Sequence, residues 1–370
     1  MKQTIKKHII NCRGPRLKQK FLVFESDDWG AIRIPTAQVR ETLWKNGLTR
    51  KADPFSRFDT LESTDDYQAL FDVLLKFKDQ KGNHPVITAN FILNNPDFKA
   101  IKVSGFEEYK SESFLETYSM CEGSEKAWET LKIGIAKSII KPQFHGTEHL
   151  NVIRWMQLLK EYNKGYMTAF DLNCYAIDDL TTQNRRTNLM AAYDYNSEEE
   201  FNYIQKSIVY GLQQFKDIFG FASQTTIAPC YVWNDKIEQV FYKQNLNGFQ
   251  SSFIQNVPNI NKSFQKKYHY TGQKNNLSQT YLVRNGLFEP SLNDRINWVD
   301  KCLESIGIAF KWGKPAIISS HRINFTGRLD VEQRTRNLKD LDLLIKKVLN
   351  KWPDIQFLDS ASIYNEVTKL

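Results

Sequence analysis

Short apolar runs alternate along this chain with longer stretches in which apolar positions recur every three or four residues. KFLVFES (20–26) reads as a strand, and TAQVRETLWKNG behind it reads as a helix. STDDYQALFDVLLKFKDQKG carries Ser63 or Thr64 as an N-cap and Gly82 as a stop. HPVITANFI (84–92) is strand-like, GSEKAWETLKIGIAKSI helical, KPQFHG (141–146) a short strand and EHLNVIRWMQLLKEYN an amphipathic helix. MAAYDY, a long helix from about Ser197 to Phe219 and SQTTIAPCYVW (223–233) follow. Then come GFQSSFIQ (248–255), QTYLVRN (279–285), KPAIISSHR (314–322), the helix DVEQRTRNLKDLDLLIKKVLNKW and the strand DIQFLD. Strands alternating with helices predict an α/β fold with a mostly parallel sheet. Seven or eight such units predict a single (β/α) barrel, distorted or incomplete, with insertions and with function at the C-terminal ends of its strands. No Pro/Gly/Ser-rich linker divides the chain. The expected organisation is therefore a basic segment at 1–19 and one barrel domain at 20–370.

Composition narrows the class. A chain of 370 residues can hold one such barrel, and 41% hydrophobic with 25% charged residues is the balance of a globular protein. No apolar run reaches the roughly 18–20 residues of a spanning helix, and residues 1–20 lack the apolar block of a signal peptide. The expected location is cytoplasmic, or peripheral to the inner face of the membrane. Cys12, Cys121, Cys174, Cys230 and Cys302 are scattered, odd in number and without a C-x-x-C pair, which argues against a disulfide framework or a cysteine zinc site. The formal charge is +8. Lys2, Lys6, Lys7, Arg13, Arg16, Lys18 and Lys20 crowd the first twenty residues with no acid among them. Such a cluster suits either a solvated segment or contact with an anionic membrane. Nothing matches a nucleic-acid-binding module, so no nucleic-acid partner is expected.

Polar groups at the ends of the strand-like runs are the candidates for chemistry. Asp27 and Asp28 end the first strand in FESDDWG, which is either a surface turn or a site where one carboxylate holds a metal and its neighbour handles a proton. HGTEH places His145 and His149 four residues apart, and His321 ends AIISS. On one helix the two imidazoles would share a face and could bind one metal. Gly146 after KPQF suggests instead that His145 ends a strand while His149 opens the next helix.

SDDWG, HGTEH, APCYVW and ISSH, in that order, resemble the motifs of the polysaccharide deacetylase family, metal-dependent carbohydrate esterases related to the nodulation and chitin deacetylases. The resemblance spans residues 20–325. It implies Asp27 as general base and His321 as general acid. Asp28, His145 and His149 would be the ligands of a divalent metal ion, Zn²⁺ first, with Co²⁺, Ni²⁺ or Mn²⁺ as alternatives. Pro229, Cys230 and Tyr231 would line the substrate groove, the Tyr231 backbone N–H serving as oxyanion donor, and Trp29 and Trp233 would join them as substrate-binding aromatics. The implied substrate is an acetylated carbohydrate, most readily an N-acetyl amino sugar in a glycan or its precursor.

Three departures mark this chain as a divergent branch. Gly146 stands where the family has Ser or Thr, Trp29 separates the Asp pair from Gly30, and Ile227 falls where the family has an arginine that orients the base. Arg284, ending QTYLVR, is a candidate replacement for that cation, and Glu289 in LFEP is a candidate to orient His321. Competing readings are an inverted zinc peptidase with Glu148 as base, a glycoside hydrolase using Asp27 and Glu289, and a non-catalytic glycan-binding protein.

Overall fold

The computed structural model describes residues 2–177, 188–259 and 263–369. Its centre is a parallel sheet of strands β1 (Phe21–Trp29), β2 (Ile87–Ile92), β3 (Ile140–Gly146), β4 (Thr225–Thr226), β5 (Gly248–Ser251), β6 (Thr280–Val283), β7 (Gly286–Leu287) and β8 (Ala316–His321). The spatial order is β6-β5-β4-β3-β2-β1-β8-β7, and β9 (Gln356–Phe357) adds to the start of β1. Strands β6 and β7 sit at opposite ends of this order yet are separated only by Arg284 and Asn285. The Arg284 N–H bonds the Ser251 carbonyl at 2.8 Å and the Asn285 N–H bonds the Ile317 carbonyl at 3.0 Å. Two consecutive residues thus tie the two edges together, and the eight-stranded sheet curls into the distorted barrel expected from the alternation of strands and helices.

All nine residues of β1 and all six of β2 are buried, because one face meets the barrel interior and the other meets helices. The outward face carries Leu22 and Phe24 into the main core. Inside, Phe21, Val23, Leu282 and Ile317 pack on Ile363 and Val367 of the C-terminal helix Ser360–Thr368, which plugs the barrel at the strand starts. Above that apolar layer come Glu25 and then Asp27, so side chains of alternate residues climb one strand from core to site.

Local chemistry sets the element ends. Ser63 and Asp66 form a reciprocal capping box at the start of the helix Thr64–Leu74. That helix stops well short of Gly82, because the Asp79 carboxylate accepts the N–H groups of Lys81 and Asn83 at 2.8 and 3.0 Å and so stabilises a turn. Glu198–Phe219 is capped by Ser197 and closed by Gly220 in the left-handed region. Only Thr225–Thr226 of SQTTIAPCYVW enters the sheet. Pro229 has no N–H to give, and Cys230 and Tyr231 both lie at φ 56°. The run GFQSSFIQ breaks after Ser251, and Ile254–Val257 pairs with Gln265–Tyr268 in a separate antiparallel hairpin. Within the basic segment, Lys2–Asn11 forms a helix. Among the described residues, no helix is long and apolar enough to cross a membrane.

Candidate functional site

Adjacent strand residues normally face opposite ways, so Asp27 and Asp28 could not both enter one site from a regular strand. The register of β1 against β2 slips between Ser26 and Trp29, and Asp28 takes φ 75°. This bulge turns the Asp28 carboxylate to the same pocket as Asp27. Aspartate tolerates the left-handed region better than most residues, and a bulge of this kind is a common device beside functional sites. Gly30 follows at φ 83°, where any Cβ would collide with the Ile92 carbonyl oxygen. A second slip, between β2 and β3, lies at His145.

The result is a cluster of three donors. His145 Nε2 lies 3.3 Å, and His149 Nε2 3.2 Å, from the same Asp28 oxygen, Oδ1. His145 Nδ1 is 2.8 Å from the Ile227 carbonyl, which can only accept, so Nδ1 carries a proton and Nε2 is the nitrogen turned to Asp28. Burial keeps the His149 ring neutral, bringing its pKa down to about 3. Burial also opposes charge on Asp28, but the Arg33 guanidinium beside it holds its carboxyl well below the usual range. Arg33 Nη2 bonds the other Asp28 oxygen, Oδ2, at 3.1 Å. Two imidazole nitrogens and a carboxylate oxygen, all within 4.8 Å of one another and buried, are a donor set suited to a divalent transition ion. Asp28, His145 and His149 could hold such an ion with its remaining positions open to the pocket. His149 is not on a helix with His145. It lies in the turn before the Asn151-capped helix Val152–Lys160, and this geometry is not the continuous helix of an inverted peptidase.

Asp27 is held differently. Arg284 binds it with two parallel bonds of 2.6 and 2.7 Å, and Asn90 Nδ2 donates at 2.7 Å. Burial pushes the carboxyl up, yet Arg284 outweighs burial and holds it at about 2. Arg284 Nε bonds Glu25 at 2.6 Å, and Ser360 of the C-terminal helix bonds the other Glu25 oxygen at 2.6 Å. His321 Nδ1 sits 2.7 Å from Glu289 Oε1, and Asn324 donates to Glu289 Oε2 at 2.8 Å. Burial favours a neutral ring, but the Glu289 charge prevails and raises His321 to about 9. Its free Nε2 lies 3.8 Å from Asp27 Oδ2.

Asp27, Asp28, Arg33, His145, His149 and His321 line one cavity of about 270 Å³, walled by Phe55, Tyr231 and Met190 among others. Several residues assigned to the groove lie elsewhere. Trp29 is 1% exposed and stacks on Tyr67 and Phe325, its indole N–H bonding Ser26. Trp233 is fully buried, stacks on Phe249 and His269, and donates to Glu238. Both are core residues, because each lies on the outward face of the barrel where helices cover it. Pro229 is buried behind the wall that Cys230 and Tyr231 form. The Tyr231 N–H bonds the Ala228 carbonyl at 3.0 Å and is not offered to the pocket. Its hydroxyl instead accepts from Arg284 at 3.1 Å. The loop that Gly146 leaves without a hydroxyl is tied by Thr147, which donates to the Ser207 carbonyl at 2.7 Å.

Sequence reasoning missed Arg33, Glu25, Phe55, Asn90 and Gln250, whose side-chain oxygen accepts from Asn90 at 2.7 Å. Glu25 and Asn90 had a readable signal, since Glu25 directly follows the apolar run FLVF and Asn90 interrupts the buried strand ITANFI. Arg33 and Phe55 lie in connections with no periodicity, and nothing local points them at the pocket.

No family model matches this chain, and no curated protein matches it. Among solved structures it is similar to a candidate glycoside hydrolase/deacetylase from Parabacteroides distasonis, with TM-score 0.52 and 7% identity over 96% of this chain and 72% of that one. That likeness shows the fold. A candidate polysaccharide deacetylase from Mycobacterium smegmatis superposes at TM-score 0.44, 8% identity, over 96% of this chain and 93% of that one. A 4-alpha-glucanotransferase from Thermococcus litoralis gives 0.44 and 9% identity over 95% of this chain, which spans only 40% of its length.

Proposed function

We propose that this protein is a metal-dependent hydrolase that removes an acetyl group, preferentially N-acetyl, from an amino sugar of a glycan or glycan precursor. The supporting observation is that three separately built parts meet in one pocket: the Asp28–His145–His149 donor set, the arginine-clamped Asp27 and the Glu289-paired His321. A divalent ion held by the donor set would polarise the acetyl carbonyl and acidify the attacking water, which lets so weak a base as Asp27 suffice.

The rest follows from the chain's own groups. Asp27 stays ionised, fixed by Arg284 and Asn90, and takes a proton from the attacking water. His321, cationic at neutral pH, gives the proton that the departing amine needs. Phe55 and Met190 wall the pocket and exclude competing water. The glycoside hydrolase reading needs Asp27 and Glu289 as a working carboxylate pair. Both Glu289 oxygens are already engaged, by His321 and Asn324, and Glu289 does not line the cavity.

The test is elemental analysis of purified protein together with acetate release from N-acetylated oligosaccharides, with and without chelator. One bound divalent ion per chain and chelator-sensitive release are expected. Metal-free protein that releases no acetate, or chelator-insensitive cleavage of glycosidic bonds, would overturn the reading.

A further inference from the structure

The helix Lys2–Asn11 is amphipathic in the unusual sense. Lys7, His8 and Asn11 turn toward the protein, whereas Lys6 is exposed. Lys7 Nζ pairs with Glu304 at 2.7 Å, Trp312 Nε1 donates to His8 at 2.9 Å, and Asn285 donates to the Asn11 side chain at 2.8 Å. Thr4 contacts Glu304 on the same side. The outward face carries Ile5 and Ile9, one turn apart and 52% and 51% exposed, and the exposed Cys12 and Arg13 follow in the bend after the helix. Lys6, Arg13, Arg16 and Lys18 are exposed around them, and residues 1–20 contain no acid to neutralise them. A water-facing helix of a globular protein usually shows the opposite arrangement.

We propose that this face docks on an anionic lipid bilayer, with Ile5 and Ile9 entering the headgroup–acyl boundary and the surrounding cations meeting the lipid phosphates. Charge complementarity selects this occupant. A second copy of the chain would bring the same cations against each other, whereas an acidic membrane attracts them, by roughly fivefold in affinity for each basic residue near the surface.

The place of the helix in the fold separates this contact from the pocket. Leu17 N–H bonds the Gly313 carbonyl, and Lys314 Nζ reaches the carbonyls of Gly14 and Pro15, all just before β8 begins. His321 lies at the other end of that strand, about 16 Å away. The docked face therefore anchors the enzyme without contributing to the pocket.

The experiment is co-sedimentation of the full chain with vesicles of phosphatidylcholine alone and with about one-third phosphatidylglycerol, at low and high salt. Wild type should bind the anionic vesicles at low salt and release at high salt. Ile5→Ser/Ile9→Ser should weaken binding at least tenfold while circular dichroism shows the fold unchanged, since both residues are exposed. Lys6→Gln/Arg13→Gln/Arg16→Gln should abolish the salt-sensitive component. The proposal fails if wild type does not sediment with anionic vesicles, or if Ile5→Ser/Ile9→Ser binds as well as wild type. It fails equally if light scattering shows a dimer that the isoleucine variant dissolves while vesicle binding is absent.

Discussion

Arg284 grips Asp27 through two parallel hydrogen bonds, Nη1 to Oδ2 at 2.6 Å and Nη2 to Oδ1 at 2.7 Å, from the dipeptide that closes the barrel. The same guanidinium bonds Glu25 through Nε, so one buried cation serves two buried carboxylates. Arg284→Met would leave both uncompensated. Stability should fall by about 3–5 kcal/mol, the cost of breaking a buried pair by removing one partner. Denaturant unfolding checks this, and a loss below about 1 kcal/mol would mean that the pair carries little of the fold. Arg284→Lys, which keeps the charge but lacks the planar fork, should fold better and still lose most of its activity.

The two aspartates should separate cleanly by metal content. Asp28→Asn replaces the only carboxylate in the donor set, so bound metal and acetate release should fall together. Asp27→Asn leaves all three donors in place. Metal should be retained while activity drops by on the order of 10²-fold or more. Elemental analysis of both variants decides, and the reverse pattern would swap the assignments.

His321 should set the alkaline limb of activity. The protonated ring is the active form, and Glu289 raises its pKa to about 9. Activity should therefore persist through neutral pH and decline as pH rises through about 9. Glu289→Gln removes the charge that favours the cation, so the limb should move to lower pH. His321→Ala should cost roughly 10²–10⁴ on an amide and less on an activated ester, whose leaving group needs little protonation. An unmoved limb in Glu289→Gln would mean that another group titrates there.

Trp29 and Trp233 should behave as core residues. Trp29→Ala should destabilise by about 3–5 kcal/mol, and Trp233→Phe should lower the melting temperature by leaving Glu238 short of a donor. In both Trp29→Phe and Trp233→Phe, KM should stay near the wild-type value at temperatures where the protein is folded. A selective rise in KM would return these rings to the substrate.

By itself the sequence determined the alternation of strands and helices, the barrel class and the identity of the polar groups that end the strands. Those features are local: apolar runs, caps and residue types are written along the chain. Asp27, Asp28, His145, His149 and His321 could be singled out because ionisable side chains next to buried strands are costly without a purpose. What each of them faces was decided by tertiary structure. A one-residue slip of β1 against β2 turns Asp28 beside Asp27, and that slip depends on the neighbouring strand. Arg284 reaches the base only because the sheet curls until its two edges meet at Arg284 and Asn285. Trp29 and Trp233 lie beside the motifs in sequence but on the outward face in space, where Tyr67 and Phe249 cover them. Arg33 and Phe55 enter the pocket from connections whose path is set by long-range packing, and no periodic signal in the chain records that path.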